Sequence, residues 1–321
     1  MKLAREALKR HQPDVFCDTT GCAFTFVIAR WMLPRSSWIL AYVHYPTIST
    51  DMMQFEWQHS GRSKFKTVIK LIYFWCFAIL YGLVGSLADL VMVNSTWTYG
   101  HITGLWRLCR DIRIVYPPCR VQNEEESPSQ NRKPIIVSIG QFRPEKNHKL
   151  QLEALSKVLQ RYPEYRNGKV VLKMIGSCRN PEDEQRVDEL RGLVKQWSIS
   201  DAVEFSLNPP YSAVLDSMKE ASIGIHTMRQ EHFGIGIVEM MAAGLVTIAH
   251  NSGGPQTDII HPGATGFLAT SADEYAEAIH QVLIMSDKDA QNMRRQAQTS
   301  ALRFSDAVFD ESLRDSLQIF S

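Results

Sequence analysis

Short apolar runs punctuate the chain, each bounded by glycine, proline or polar residues and followed by a stretch of helical spacing. In the second half the runs fall at 135–140, 170–176, 203–205, 221–226 and 246–250, with helix-patterned stretches at 150–159, 183–197, 211–220, 238–243, 272–285 and 288–303. Runs that are apolar on both faces are what a parallel sheet covered by helices requires. The first half shows the same alternation. A charged amphipathic helix at 1–10 precedes strands at 13–18 and 38–43, with a helix at 23–33 closed by Pro34 between them; a strand follows at 89–94, then a helix capped by Ser95 or Thr96 and running to about Cys109. Turns are expected at 253–254 and 261–268. Strand and helix in alternation predict an α/β protein. The polar, acidic stretch 119–133, with Glu124, Glu125 and Glu126, predicts an exposed linker between a domain at 1–118 and a domain at 134–303, and a last helix at 304–321 packs back toward the first domain.

One stretch departs from this rhythm. From Leu71 to Ala88 there are 18 residues without a formal charge, preceded by Arg62, Lys64, Lys66 and Lys70. At ~1.5 Å per residue the stretch makes ~27 Å of helix, slightly short of a bilayer core, and Gly82, Gly85 and Ser86 weaken it further. Three readings stay open: a buried core helix, a helix embedded in the membrane interface, and a true span. The interfacial reading leads, because the basic flank suits an anionic leaflet and Phe74, Phe77 and Leu80 supply an apolar face.

Composition changes the picture little. The 321 residues are enough for two domains and a substantial core. Lys and Arg total 35 against 34 Asp and Glu, a net charge of +1 that gives no sign of a nucleic-acid partner. The six cysteines are scattered, without a CxxC pair or histidines at metal spacing, which points to a reducing compartment. The first ten residues lack the apolar core of a signal peptide. Asn94-Ser95-Thr96 is formally a glycosylation sequon, and its place at a strand end favours a silent one.

The candidate chemistry lies between two apolar strands, in Glu231-His232-Phe233-Gly234-Ile235-Gly236-Ile237-Val238-Glu239. A glycine-rich turn entering a helix at the carboxyl edge of a sheet is where open α/β sheets bind ligands. Glu239, about one turn into that helix, can accept two hydrogen bonds from a cis-diol such as a ribose. Glu231 points across the mouth of the helix, and Gly234 and Gly236 let the backbone approach a ligand closely. A second turn, Gln141-Phe142-Arg143-Pro144-Glu145-Lys146-Asn147-His148, places two cations beside a helix start, where they suit a diphosphate that gains negative charge as it leaves. The bland alternatives are two solvated glutamates and a solvated charged turn.

The block from His232 to Gly244, followed by Ala249-His250-Asn251-Ser252-Gly253-Gly254-Pro255, resembles the donor-binding domain of retaining GT-B glycosyltransferases. Within that family it is most similar to GDP-mannose-dependent α-1,2-mannosyltransferases that extend dolichol-linked oligosaccharides, and the likeness covers most of the chain from about Pro13. The resemblance implies two Rossmann-like domains facing a cleft, with the first domain incomplete, because the strand and glycine-rich loop that open such enzymes have no counterpart before residue 13. It implies that Lys146 stabilises the departing diphosphate; Gln141 stands where the family has an arginine, and Arg143 is the nearby substitute. Glu231 and the amides of Phe233, Gly234 and Ile235 would hold the mannosyl unit, Glu239 the ribose, and His44, in Tyr42-Val43-His44-Tyr45-Pro46, a sugar hydroxyl from the opposite domain. A nucleophilic role for Glu231 ranks below positioning. No Asp-x-Asp motif is visible, so neither a metal nor another cofactor is expected. The implied partners are GDP-mannose, a dolichol-pyrophosphate oligosaccharide, the cytosolic face of the endoplasmic reticulum membrane and other mannosyltransferases of the pathway. Two rival readings are a catalytically impaired nucleotide-sugar-binding fragment or partner subunit, and a different reaction on the same fold, such as sugar-nucleotide epimerisation.

Overall fold

The computed structural model describes residues 1–48, 64–109, 111–121 and 132–318; within the helix that opens at Lys64, side chains are described from residue 68. Most of the acidic stretch read as a linker, and Arg62 of the basic flank, lie outside the described residues. The chain divides into two compact units, Met1–Tyr116 with Ser312–Ser321, and Pro117–Glu311.

In the first unit β1 (Val15–Asp18), β2 (Trp38–Val43), β3 (Leu90–Val93) and β4 (Ile112–Ile114) form a parallel sheet in chain order. Helices α1 (Lys2–Arg10), α2 (Phe24–Met32), α3 (Lys64–Gly85) and α4 (Thr96–Leu105) accompany it. Asp89 fixes the entry to β3: its carboxylate accepts from the Ile39 amide at 2.7 Å and from Arg30 Nη2 at 2.5 Å. Ser95 is the cap of α4, its hydroxyl accepting from the Thr98 amide at 3.0 Å. Asn94 is buried, donates to the His44 carbonyl at 3.0 Å and accepts from Thr98 Oγ1 at 2.7 Å, so the sequon asparagine is committed to the strand end. The helix read to Cys109 stops at Leu105, and β4 was not legible as a strand, since Ile-Arg-Ile is too short to show a period. Arg113 at its centre donates to Asp111 and to the carbonyls of Asp315 and Ser316.

Helix α3 has two unlike faces. Tyr81 is fully buried between Phe77 and Trp106, with Ala78 and Val84 beside it, while Ile72, Trp75, Ile79 and Leu83 stand at 58%, 61%, 60% and 54% exposure. A wholly buried core helix is therefore excluded. Phe74 and Phe77, expected on the membrane face, pack instead against the core, because the face is set by the indole of Trp106. The glycines that weaken an isolated helix are what allow this docking: a Cβ on Gly85 would lie 2.1 Å from the Trp106 ring, and one on Gly82 2.3 Å from the Leu105 carbonyl. From Val68 to Gly85 the helix offers 18 residues apolar enough to cross a membrane, of which 28% are buried.

The second unit alternates strand and helix: β5 (Lys133–Ile139), α5 (His148–Arg161), β6 (Val171–Gly176), α6 (Pro181–Gln196), β7 (Val203–Leu207), α7 (Tyr211–Glu220), β8 (Ala221–Ile225), α8 (Ile235–Ala242), β9 (Val246–His250) and β10 (Gly266–Ala269). Then come α9 (Ala272–Ile284), α10 (Asp287–Ala301) and α11 (Asp306–Leu317), the last running on into the first unit's segment. The six strands are parallel in the order β10-β9-β8-β5-β6-β7. Both β8 and β9 are buried at every position, as their predominantly apolar sequences lead one to expect. The chain therefore winds outward from β5 to β7, returns to the other side of β5 at β8, and winds outward again. Ligands bind at the carboxyl ends of strands where such a reversal occurs, here between β5 and β8. Residues 261–268, expected to be all turn, end in β10, an edge strand recruited by pairing with β9.

Candidate active site

The turn after β5 and the turn after β8 meet at that point of reversal. Pro144–Lys146 forms a single 3-10 turn, Asn147 takes a left-handed conformation at φ 49°, and α5 starts at His148. The Lys146 ammonium donates to Glu231 Oε2 at 2.7 Å and touches the Met228 sulfur at 3.3 Å. His226, directly after β8, meets the same oxygen through Nε2 at 3.1 Å. The three side chains keep only 20% (Lys146), 14% (Glu231) and 7% (His226) of their exposure. Burial alone would raise the Glu231 pKa; the His226 hydrogen bond and the charges of His226 and Lys146 outweigh it and hold the carboxyl well below the usual carboxylate range. Among the described residues no donor meets Glu231 Oε1, so both side-chain donors converge on the other oxygen.

A second tier supports this trio. Thr227 Oγ1 donates to the Lys146 carbonyl at 2.8 Å and accepts from Gln151 Nε2 at 2.9 Å, which ties the two turns together. His148 stacks on Phe142 at 4.9 Å and is held neutral: burial, then the charges of Lys146, His226 and Arg186, lower its pKa to about 4. Behind Glu231 the backbone of Gly253 and Gly254 packs on the loop, with the Gly254 amide donating to the Glu231 carbonyl at 2.8 Å. A Cβ at Gly253 would come within 2.3 Å of that carbonyl, and one at Gly254 within 2.6 Å of the Phe233 carbonyl, so only glycines let the loop rest there.

Gly234, at φ 118°, starts α8 from a conformation closed to other residues. The Phe233 ring is buried edge-on against Phe304 at 5.1 Å and anchors the turn that carries its backbone amide. Ile235 is 45% exposed at the helix start. Glu239 lies in the fifth position of α8, part-buried; burial raises its pKa, opposed by the charge of Arg120. The structure thus brings Lys146, Glu231 and the α8 start together, with Glu239 one turn further on, and neither glutamate is a solvated surface residue. Arg143 stands at the N-terminal boundary of the 3-10 turn without a side-chain capping bond, is exposed, and makes no ion pair among the described residues. His44 belongs to the first unit, just past β2, where its exposed ring lies 4.5 Å from that of Tyr42. Among the described residues no group of three or more His, Cys, Asp or Glu side chains is arranged to hold a metal.

Sequence reasoning passed over His226, Thr227 and Gln151. The signal for His226 was present: an imidazole ends an otherwise apolar strand at the sheet's ligand-binding edge, five residues before Glu231.

The fold, two parallel-sheet α/β units, is that of the GT-B glycosyltransferases. Two family models match, glycosyl transferases group 1 over residues 120–300 and the ALG11 mannosyltransferase N-terminus over residues 1–106, and the chain belongs to the group 1 glycosyltransferase family. The human GDP-Man:Man(3)GlcNAc(2)-PP-Dol alpha-1,2-mannosyltransferase is 44% identical over 98% of the chain, and its Dictyostelium discoideum counterpart 44% identical over 96%. The chain spans about two thirds of these relatives, 67% of the human and 64% of the Dictyostelium protein. Among solved structures, Anabaena HepE in complex with UDP and glucose superposes with a TM-score of 0.73 at 18% identity, covering 98% of this chain and 80% of that one. A UDP-forming trehalose-phosphate synthase from Burkholderia xenovorans gives 0.75 at 12% identity, with 99% and 76% covered. At such identities these two speak for the fold alone.

Proposed function

We propose that this chain is a retaining α-1,2-mannosyltransferase that moves mannose from GDP-mannose to a mannose 2-hydroxyl of a dolichol-pyrophosphate oligosaccharide. The observation that carries the proposal is the Lys146–Glu231–His226 cluster at the sheet's reversal point, in a chain 44% identical to relatives of that name. Lys146, with Arg143 at the same turn, takes the diphosphate and stabilises the charge that grows on it as the mannosyl C1–O bond breaks. Glu231 Oε1 accepts from a mannosyl hydroxyl, and the N–H groups at the α8 start, beside Gly234 and Ile235, complete the cradle. Glu239 accepts both ribose hydroxyls, with Phe233 holding the turn. In a front-face reaction the acceptor oxygen bonds C1 on the side the diphosphate leaves, and the acceptor proton passes to a departing phosphate oxygen. His44 meets a sugar hydroxyl in this reading, and no metal or other cofactor takes part. No observation favours an impaired binding subunit.

The reading sets the reaction at the cytosolic face of the endoplasmic reticulum membrane, beside other mannosyltransferases of the pathway. The exposed apolar face of α3, with Ile72, Trp75, Ile79 and Leu83, supports membrane attachment. The test is transfer of labelled mannose from GDP-mannose to a lipid-linked Man(3)GlcNAc(2) acceptor. Glu239→Ala should lower kcat/KM by roughly tenfold or more through lost charge-assisted hydrogen bonds, and unchanged turnover would refute the ribose assignment.

A further inference from the structure

The two donors that meet Glu231 Oε2 are not equivalent. Lys146 stands on a single exposed 3-10 turn and shares its ammonium with the Met228 sulfur. Under the proposed function an incoming diphosphate draws it away. His226 is fixed from both sides: its amide donates to the Ile248 carbonyl of β9 at 2.9 Å, and its carbonyl accepts from the hydroxyl of the fully buried Tyr275 at 2.8 Å. Its ring is 7% exposed, and Nδ1 is buried without a hydrogen-bond partner among the described residues. The ring thus speaks to its surroundings through one bond, from Nε2 to Glu231.

We propose that His226 is the positioning residue of the donor site: it holds the Glu231 carboxylate through Oε2, so that Oε1 stays aimed at the donor sugar when Lys146 engages the diphosphate. This rests on the donor-site reading above. Nε2 must carry the hydrogen for the bond to form, so His226→Gln, whose amide nitrogen reaches as far as Nε2, preserves a donor, and His226→Phe preserves only the volume.

Calorimetry of the full chain with GDP-mannose and with GDP tests the inference. His226→Phe should weaken GDP-mannose binding by roughly tenfold and GDP binding much less, while His226→Gln recovers most of the loss. In a Glu231→Ala background, His226→Phe should add nothing, the non-additivity expected when one residue acts through another. Equal weakening of both nucleotides, a glutamine variant no better than phenylalanine, or the full loss persisting without Glu231 would each overturn it. Imidazole 15N NMR gives a readout that needs no nucleotide: His226 should be protonated at Nε2, with a resonance that moves in Glu231→Ala. An unmoved resonance defeats the positioning role. Wild-type chain that binds neither nucleotide while showing that NMR signature counts against the donor-site reading alone.

Discussion

Lys146 and Glu231 come together from positions 85 residues apart in the chain, and the cost of burying both is met by mutual pairing and by His226. Replacing Lys146 by methionine removes the cation and leaves Glu231 with one donor. Mannosyl transfer should fall by roughly a hundredfold, consistent with loss of a charge that acts on the leaving group. The same neighbourhood gives the protein an acid-sensitive limb. An imidazole in the unfolded chain titrates near about 6.5, whereas burial and the adjacent cations lower His148 to about 4. Between these values the unfolded chain binds a proton that the folded chain refuses, so stability declines as pH falls from about 6.5 to about 4 and the His148 contribution then levels off. Glu231 adds a separate loss at lower pH: its folded pKa is depressed, so its stabilisation is present above the unfolded carboxylate pKa and is lost as pH falls through the folded one. Urea denaturation across pH should show both limbs in the wild type, and His148→Phe, which keeps the stack on Phe142, should flatten the upper one.

Close backbone approaches dominate at the level of elements. Gly254 lies under the Glu231 loop with no room for a Cβ, and Gly85 lies under Trp106 in the same way. Either glycine changed to alanine should cost roughly 1–3 kcal/mol by overpacking, read as a lowered Tm, but the two should part in function. Gly254→Ala displaces the loop and should weaken GDP-mannose binding, whereas Gly85→Ala loosens α3 in the other unit and should leave that affinity in place. Elements with unbroken patterns and firm punctuation were legible in the sequence: β2, α7 and β9 begin and end where proline, glycine and apolar run length say they should. β4 and β10 were not, because three or four residues show no period and their strand character comes from pairing with β3 and β9. In the candidate site, the places of Glu231, Lys146 and Glu239 beside helix starts were legible from spacing. Their arrangement was not: that Lys146 reaches Glu231 follows from β5 lying next to β8, a fact of winding order that local pattern does not carry. His226 differs: its signal was local, an imidazole ending an apolar run five residues before Glu231, and it was passed over.

For the whole molecule, the apolar face of α3 is the feature that a soluble α/β fold does not explain. Tyr81 and Trp106 fix which side packs inward, so the outward residues can be changed without touching the core. Replacing Ile72, Trp75, Ile79 and Leu83 by serine should abolish flotation with liposomes containing anionic lipid while leaving thermal unfolding within a few degrees of wild type. Wild-type chain that does not float would refute membrane attachment, and binding that survives these changes would refute α3 as its site.

The Lys146–Glu231 contact has one more consequence, for turnover. With the site empty the lysine already holds an anion, tethered at a very high effective concentration, so a free nucleoside diphosphate has to compete with a carboxylate built into the protein. The donor offsets that competition with its sugar, which gives Glu231 something else to bind; the spent nucleotide has no such substitute. Under the proposed function, Glu231 would reclaim the lysine and so help to clear the product. Replacing it with glutamine should tighten GDP while it weakens GDP-mannose, turning a transferase that releases its product into one that GDP inhibits.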